Sequence, residues 1–160
     1  MKKYVFFFFL IFVCYYTTVM AQCNNVALGK PVTASGIYLS NIPANAINGN
    51  CGDGWNSGGY ATQFLEVDLL STYTINNINI MFDMTPNGNV NHEVLISPDM
   101  VTWTVVDVIT GFYVTGQLIE RCCSGSPLTN VRGVKINSVS SPSWIAIREM
   151  GVYTLSTPTI

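Results

Sequence analysis

Basic residues are scarce in this chain, histidine is almost missing, and no stretch has the period of a long amphipathic helix. Of 160 residues, seven are Lys or Arg, nine are Asp or Glu and one is His. Surfaces for nucleic acid or anionic lipid are built from clustered Lys and Arg. Apart from Lys2-Lys3 the basic residues are scattered, which excludes nucleic acid as an expected partner and argues against a membrane surface. One histidine, no Ser-His-Asp context and no paired carboxylates near a candidate cleft leave little acid–base equipment, so no enzyme is expected. There is no CxxC, which makes zinc a poor fit, and no Asn-x-Ser/Thr acceptor for N-glycosylation.

What is present starts with a leader. Lys2 and Lys3 precede an apolar run from Val5 to Val13, and Val19-Met20-Ala21 supplies small residues at the −3 and −1 positions of a cleavage site. The run falls short of the roughly 20 apolar residues that span a bilayer. The expectation is a signal peptide over 1–21, followed by one secreted, extracellular domain over 22–160. Losing Lys2 and Lys3 leaves five basic against nine acidic residues, net −4. It also leaves Cys23, Cys51, Cys122 and Cys123, an even number in an oxidising compartment, for which two disulfides are the default. Pairings that tie Cys23 and Cys51 to the Cys122-Cys123 neighbours are favoured over a strained ring between the neighbours.

Strand patterns dominate that domain. Leu65, Val67 and Leu69 alternate with Glu66 and Asp68, and Ile78, Ile80 and Phe82 alternate with Asn77, Asn79 and Met81. Further strands are expected from Val94, over Trp103 to Ile109, Tyr113 to Ile119, Val131 to Ile136 and Ile145 to Tyr153, with at most one helical turn at Pro43 to Ile47. About eight short antiparallel strands of this kind predict an all-β jelly-roll sandwich. Trp55 and Trp103 read as core, and His92 reads as a surface residue. In an extended closing strand Glu149 shares parity with Ile145, Ile147 and Tyr153, so it should face the apolar side and require a partner. Arg132 or Lys135 would make that an ion pair; a calcium ion held with the oxygen-rich loop from Asn45 to Asp53 is the alternative.

The ordered pieces NVALGKPVTASG, NAINGN, Trp55, QFLEVDL, HEVLISPDMVTW, VRGVKI and IAIREMGVY resemble the discoidin, or coagulation factor (F5/8) type C, domains of the galactose-binding-like superfamily. They are similar also to family-32 carbohydrate-binding modules and F-type lectins. The resemblance runs from about Asn25 to Tyr153. It implies a non-catalytic domain in which Asp68 makes structural hydrogen bonds. It also implies a structural Ca2+ site at Asn48, Asn50, Asp53 and Glu149, with Asn48 standing where the usual Asp would be. Ligand loops at one end would offer Tyr38, Asn41, Asn56, Tyr60, Asp83, Asn87, Asn89 and Trp144. Of these Tyr38, Asn56, Asp83, Asn89 and Trp144 are the expected ligand residues, with Trp144 or Tyr38 stacking on the sugar.

The function these features imply is lectin-like binding of extracellular or cell-surface glycans or glycoproteins, with oligomerisation as a route to avidity. The alternatives are a cell-adhesion or matrix module binding a protein partner through the same loops and, ranked last, a phospholipid-binding module using Gly36-Ile37-Tyr38-Leu39 as an apolar tip. The sequence departs from galactose-binding relatives at Asn56, where a His is usual, and at Asp83, where an Arg is usual.

Overall fold

A computed structural model describes residues 23–122 and 126–155, without the side chains of Cys23, Cys122 and Leu155. The expected signal peptide and Cys123 lie outside the described residues. Ten strands follow one another: β1 (Cys23–Asn25), β2 (Val32–Ala34), β3 (Trp55–Asn56), β4 (Gln63–Ile75), β5 (Asn77–Phe82), β6 (Gly88–Ser97), β7 (Thr104–Tyr113), β8 (Leu118–Cys122), β9 (Leu128–Ser140) and β10 (Ala146–Leu155). One 3-10 turn, Pro43–Ile47, falls where the sequence allowed one.

The strands form two antiparallel sheets. One runs β1-β10-β5-β8, with β3 added beside β10; the other runs β2-β4-β9-β6-β7. Alternation decides which side chains meet between them. Leu65, Val67 and Leu69 of β4 and Ile78, Ile80 and Phe82 of β5 are buried, with Val134 and Ile136 of β9 and Met150 and Val152 of β10 buried beside them on the neighbouring strands. Branched side chains suit this half-buried, pleated setting. Trp55 is 1% exposed, and its indole Nε1 donates to the Gly36 carbonyl at 2.8 Å, which ties an outlying loop to the core.

Outside the second sheet, charges that lie two apart on β4 are matched by cations on β9. Glu66 faces Lys135 across the strands at 2.8 Å, and Asp68 takes a two-pronged contact from Arg132, Nε at 3.0 Å and Nη2 at 2.8 Å. Asp68 also accepts from the Leu70 amide, the structural role expected of it. The Lys135 ammonium sits 4.0 Å from the Trp103 ring centroid. Trp103 therefore lies half-buried on this outer face rather than in the core. A Cβ at Gly133 would come within 2.7 Å of its ring and 2.6 Å of the Met100 sulfur, so the glycine makes room for both side chains against β9.

Three further expectations change. Tyr113 to Ile119 is not one strand: Gln117 N donates to Val114 O and Gly116 adopts φ +73°, closing a turn between β7 and β8. His92 is 1% exposed, not superficial; it stacks on Phe82 with ring centroids 4.3 Å apart, and burial holds its pKa down at about 4. Glu149 does not share a face with Ile145 and Ile147. Ile147 pairs with Phe82 but Glu149 pairs with the next residue, Met81, so Arg148 is an extra residue and the parity flips at this bulge.

Candidate functional site

Four loops converge at one end of the sandwich. The first carries Tyr38, whose amide donates to Asn56 O at 2.8 Å while Asn41 N donates back to Tyr38 O at 3.1 Å. This binds the Tyr38 loop to β3. The second follows β3, where Asn56 Oδ1 accepts from Gly58 N at 2.8 Å. The third follows β5 and carries Asp83; the fourth, before β10, carries Trp144. Gly59 O accepts from Ile145 N at 2.9 Å, fixing the fourth loop against the second.

The result is an aromatic corner beside a polar groove. Tyr38 and Trp144 meet edge to face, centroids 5.1 Å apart at 72°, and remain 41% and 38% exposed. The groove has two adjoining cavities of about 360 and 200 Å3, both lined by Asn56, Asp83 and Ala146. Asn41, Cys51, Asp53, Gly54 and Arg148 are among the other residues of the first; Met84, Thr85, Ser143 and Trp144 complete the second. Gly54 is required sterically, because a Cβ there would lie 2.8 Å from the Arg148 Cα and from Ile147 O.

Of the expected ligand residues, Tyr38, Asn56, Asp83 and Trp144 come together here. Asn89 does not: it opens β6 opposite Phe112 in the second sheet and lines neither cavity. Asn87 is drawn into the scaffold, accepting from Thr115 N at 2.9 Å, and Tyr60 is exposed nearby in sequence to the second loop. Sequence reasoning missed Arg148, whose Nη2 lies 3.0 Å from Asp83 Oδ1. It also missed Thr115, whose hydroxyl donates to the same oxygen and whose Oγ1 accepts from Met84 N. The Thr-Gly pair at 115–116 was the available turn signal for Thr115. Arg148 is the extra residue of the bulge, which leaves no mark in the residue pattern.

The loop over 48–53 forms a second feature. Asn48 Nδ2 donates to both Asp53 oxygens (3.2 and 3.3 Å), Asn48 Oδ1 accepts from Asn50 N, and Asn50 Oδ1 accepts from Gly52 N. Glu149 Oε1 accepts from Gly49 N at 3.2 Å, whereas its buried Oε2 has no hydrogen-bond partner among the described residues. Burial, with the negative charge of Asp53 adding to it, pushes the Glu149 carboxyl up to about 6. Neither Arg132 nor Lys135 is its partner, since those pair with Asp68 and Glu66. A buried acceptor without a donor, close to a second carboxylate, fits a hard cation held by Asp53, Glu149 and the oxygens of Asn48 and Asn50. Among the described residues no three His, Cys, Asp or Glu side chains cluster as a metal site, so amide and carbonyl oxygens would have to supply the remainder. Cys51 is exposed and, among the described residues, has no disulfide partner; it lines an outer cavity with Leu118 and Glu149, and the pairing expected for it involves side chains outside the described residues.

Comparison with known proteins bears on this architecture. No curated protein matches the chain. Among solved structures, chitosan-binding module 1 of a chitosanase/glucanase from Paenibacillus sp. IK-5 superimposes with a TM-score of 0.69 at 23% identity, over 82% of this chain and 99% of that one. The family 32 carbohydrate-binding module of C. perfringens NanJ, solved in complex with galactose, gives 0.66 at 19% identity over 78% and 93%. The first such module of a family 31 glycoside hydrolase from Clostridium perfringens gives 0.66 at 25% over 80% and 97%. A family model described as NedA-like, galactose-binding domain matches residues 45–136, more than half of the sequence. The chain belongs to that family, the NedA-like galactose-binding domains of F5/8 type C.

Proposed function

We propose that this protein is an exported carbohydrate-binding module which recognises extracellular glycans through the groove beside Tyr38 and Trp144 and performs no bond-breaking. The observation that carries the reading is the aromatic corner set against Asn56, Asp83 and Arg148 at one pole of the sandwich. A pyranose has an apolar face and a rim of hydroxyls, and this combination offers a ring to stack on and planar polar groups to bond. The relatives solved with galactose or described as chitosan-binding support a sugar as the ligand class. Export rests on the leader read in residues 1–21.

Calcium, held by Asp53 and Glu149 with Asn48 and Asn50, would stabilise the loop beneath the groove; it supplies charge and rigidity, not chemistry. The test of binding is titration of the domain, with calcium present, against a broad glycan array, repeated with Trp144→Ala. Binding that Trp144→Ala weakens by about tenfold or more supports the reading. Uniform silence across the array rejects it.

One observation favours a second reading. Ile37, Leu39, Ile42 and Tyr60 are exposed, Leu39 most of all, on or beside the loops that carry Tyr38 and Asn56. That apolar surface suits adhesion to a protein partner. Competition by free monosaccharides separates the two, since a protein ligand would not be displaced. Lipid is disfavoured because Arg148, the basic residue lining the groove, is engaged by Asp83.

A further inference from the structure

We infer that the groove takes two consecutive sugar units, one stacked on Trp144 and the next held in the cavity beside Arg148, so that the protein reads a glycosidically linked pair; the inference rests on the carbohydrate-binding reading above. The cavity against Trp144, at about 200 Å3, falls short of the roughly 300–1,000 Å3 of ordinary small-ligand sites. Its neighbour is larger, about 360 Å3, and the two meet at Asn56, Asp83 and Ala146. Ala146 adds only a methyl group at that junction. A single ring on Trp144 therefore leaves the larger part of the groove unfilled.

The two cavities offer different chemistry. The smaller has the half-exposed indole, braced edge-on by Tyr38, as a stacking surface. The larger has no such ring: Trp55, the one aromatic residue lining it, is 1% exposed. It offers hydrogen-bonding groups instead. Arg148 uses one N–H on Asp83 Oδ1 and, with five such donors, keeps others for a sugar hydroxyl. Asn41 has both main-chain groups engaged, its amide with Tyr38 O and its carbonyl with Asn56 N, which fixes the residue and leaves its side-chain amide to bond a ligand. At the junction Asn56 Oδ1 is occupied by Gly58 N, so its Nδ2 is the end that can donate. A wet, polar cavity of this kind binds a lone sugar weakly, because water competes for every bond. Linkage to a ring already stacked on Trp144 supplies the second unit at high effective concentration. Two hydrogen bonds, each worth about a factor of two or more, then add about fivefold in affinity.

The experiment titrates the intact chain by calorimetry with the mono-, di- and trisaccharides of three series, built from galactose, from N-acetylglucosamine and from glucosamine. In a series that binds, the disaccharide should bind about fivefold or more tightly than the monosaccharide, beyond the roughly twofold statistical gain of offering two rings to one stacking site, and the third unit should add little. Arg148→Gln and Asn41→Ala should each shrink that ratio towards the statistical factor. Disaccharides that bind within about twofold of their monosaccharides overturn the inference and leave carbohydrate binding standing. So does a third unit that adds as much as the second, or a ratio that neither variant moves. If the three series are silent while the wider array reports another glycan, the same comparison is made between that glycan's terminal unit and its terminal pair. Silence everywhere removes the carbohydrate reading and this inference with it. The length series is measured on the unaltered chain, so it decides the matter whether or not the variants fold.

Discussion

The outer face of the second sheet and the loop pole handle charge in opposite ways. On the sheet, Glu66 and Asp68 each face a cation held by the neighbouring strand, with Trp103 lying under Lys135. At the pole, the charge of Asp53 acts on Glu149, a buried Glu149 oxygen lacks a donor among the described residues, and aromatic rings stay half exposed. Cross-strand register brings opposite charges together automatically and leaves nothing for a ligand to do. Loops have no such register, so their polar groups can be left for cations and sugars to satisfy.

The contrast can be removed altogether at its shared foundation. Trp55 fills the core and also anchors Gly36, at the start of the loop that carries Tyr38. Trp55→Ala should cost about 3–5 kcal/mol in denaturant unfolding and abolish the groove with the fold. A variant that melts like the parent would deny the indole this double role.

The pole also stands over a group that dislikes acid. His92 packs against Phe82, the residue before Asp83, and its pKa of about 4 lies below the 6.5 of an unfolded chain. The unfolded chain therefore takes up the proton first as pH falls. Stability is fully present above about 6.5 and declines towards pH 4, by up to about 3 kcal/mol. Melting temperatures across that window check this, and His92→Gln should flatten the slope.

A smaller effect is expected from the satisfied face. Arg132→Ala strands Asp68, whose carboxyl is held below its usual range chiefly by the Arg132 hydrogen bonds. The pair is part-exposed, so about 1 kcal/mol should be lost, with sugar affinity unchanged. A loss of glycan binding here would show that the two regions are coupled.

The smallest shift sharpens the comparison most. Glu149 has a folded pKa raised to about 6 from 4.5, so without calcium its contribution is present below about 4.5 and lost as pH rises through 6. Calcium should reverse that slope by favouring the ionised form. Glu149→Gln should slightly stabilise the calcium-free protein at neutral pH and abolish any rise in melting temperature on adding calcium. Calcium that still raises the melting temperature of Glu149→Gln would remove Glu149 from the site.

Much of the scaffold was legible because strand alternation is local. Leu65-Val67-Leu69 and Ile78-Ile80-Phe82 declare their buried faces in the sequence, and the structure agrees. Four of the five expected ligand residues also reached one pole, since the resemblance fixes the order of the loops. Asn89 failed because β6 begins before it and pairs it with Phe112. Glu149 was misjudged because parity counting assumes an unbroken strand, and a bulge moves every later side chain to the other face.

The sequence by itself determined that this is an all-β sandwich whose apolar residues alternate into a single core, because each strand needs only its own neighbours to show which face is buried. Only the tertiary structure decided that Arg148 and Thr115 meet at Asp83, that His92 lies inside, and that Glu149 is left with an unmet oxygen. Those outcomes depend on register and on which distant strand lies opposite, and neither is written in any short run of residues.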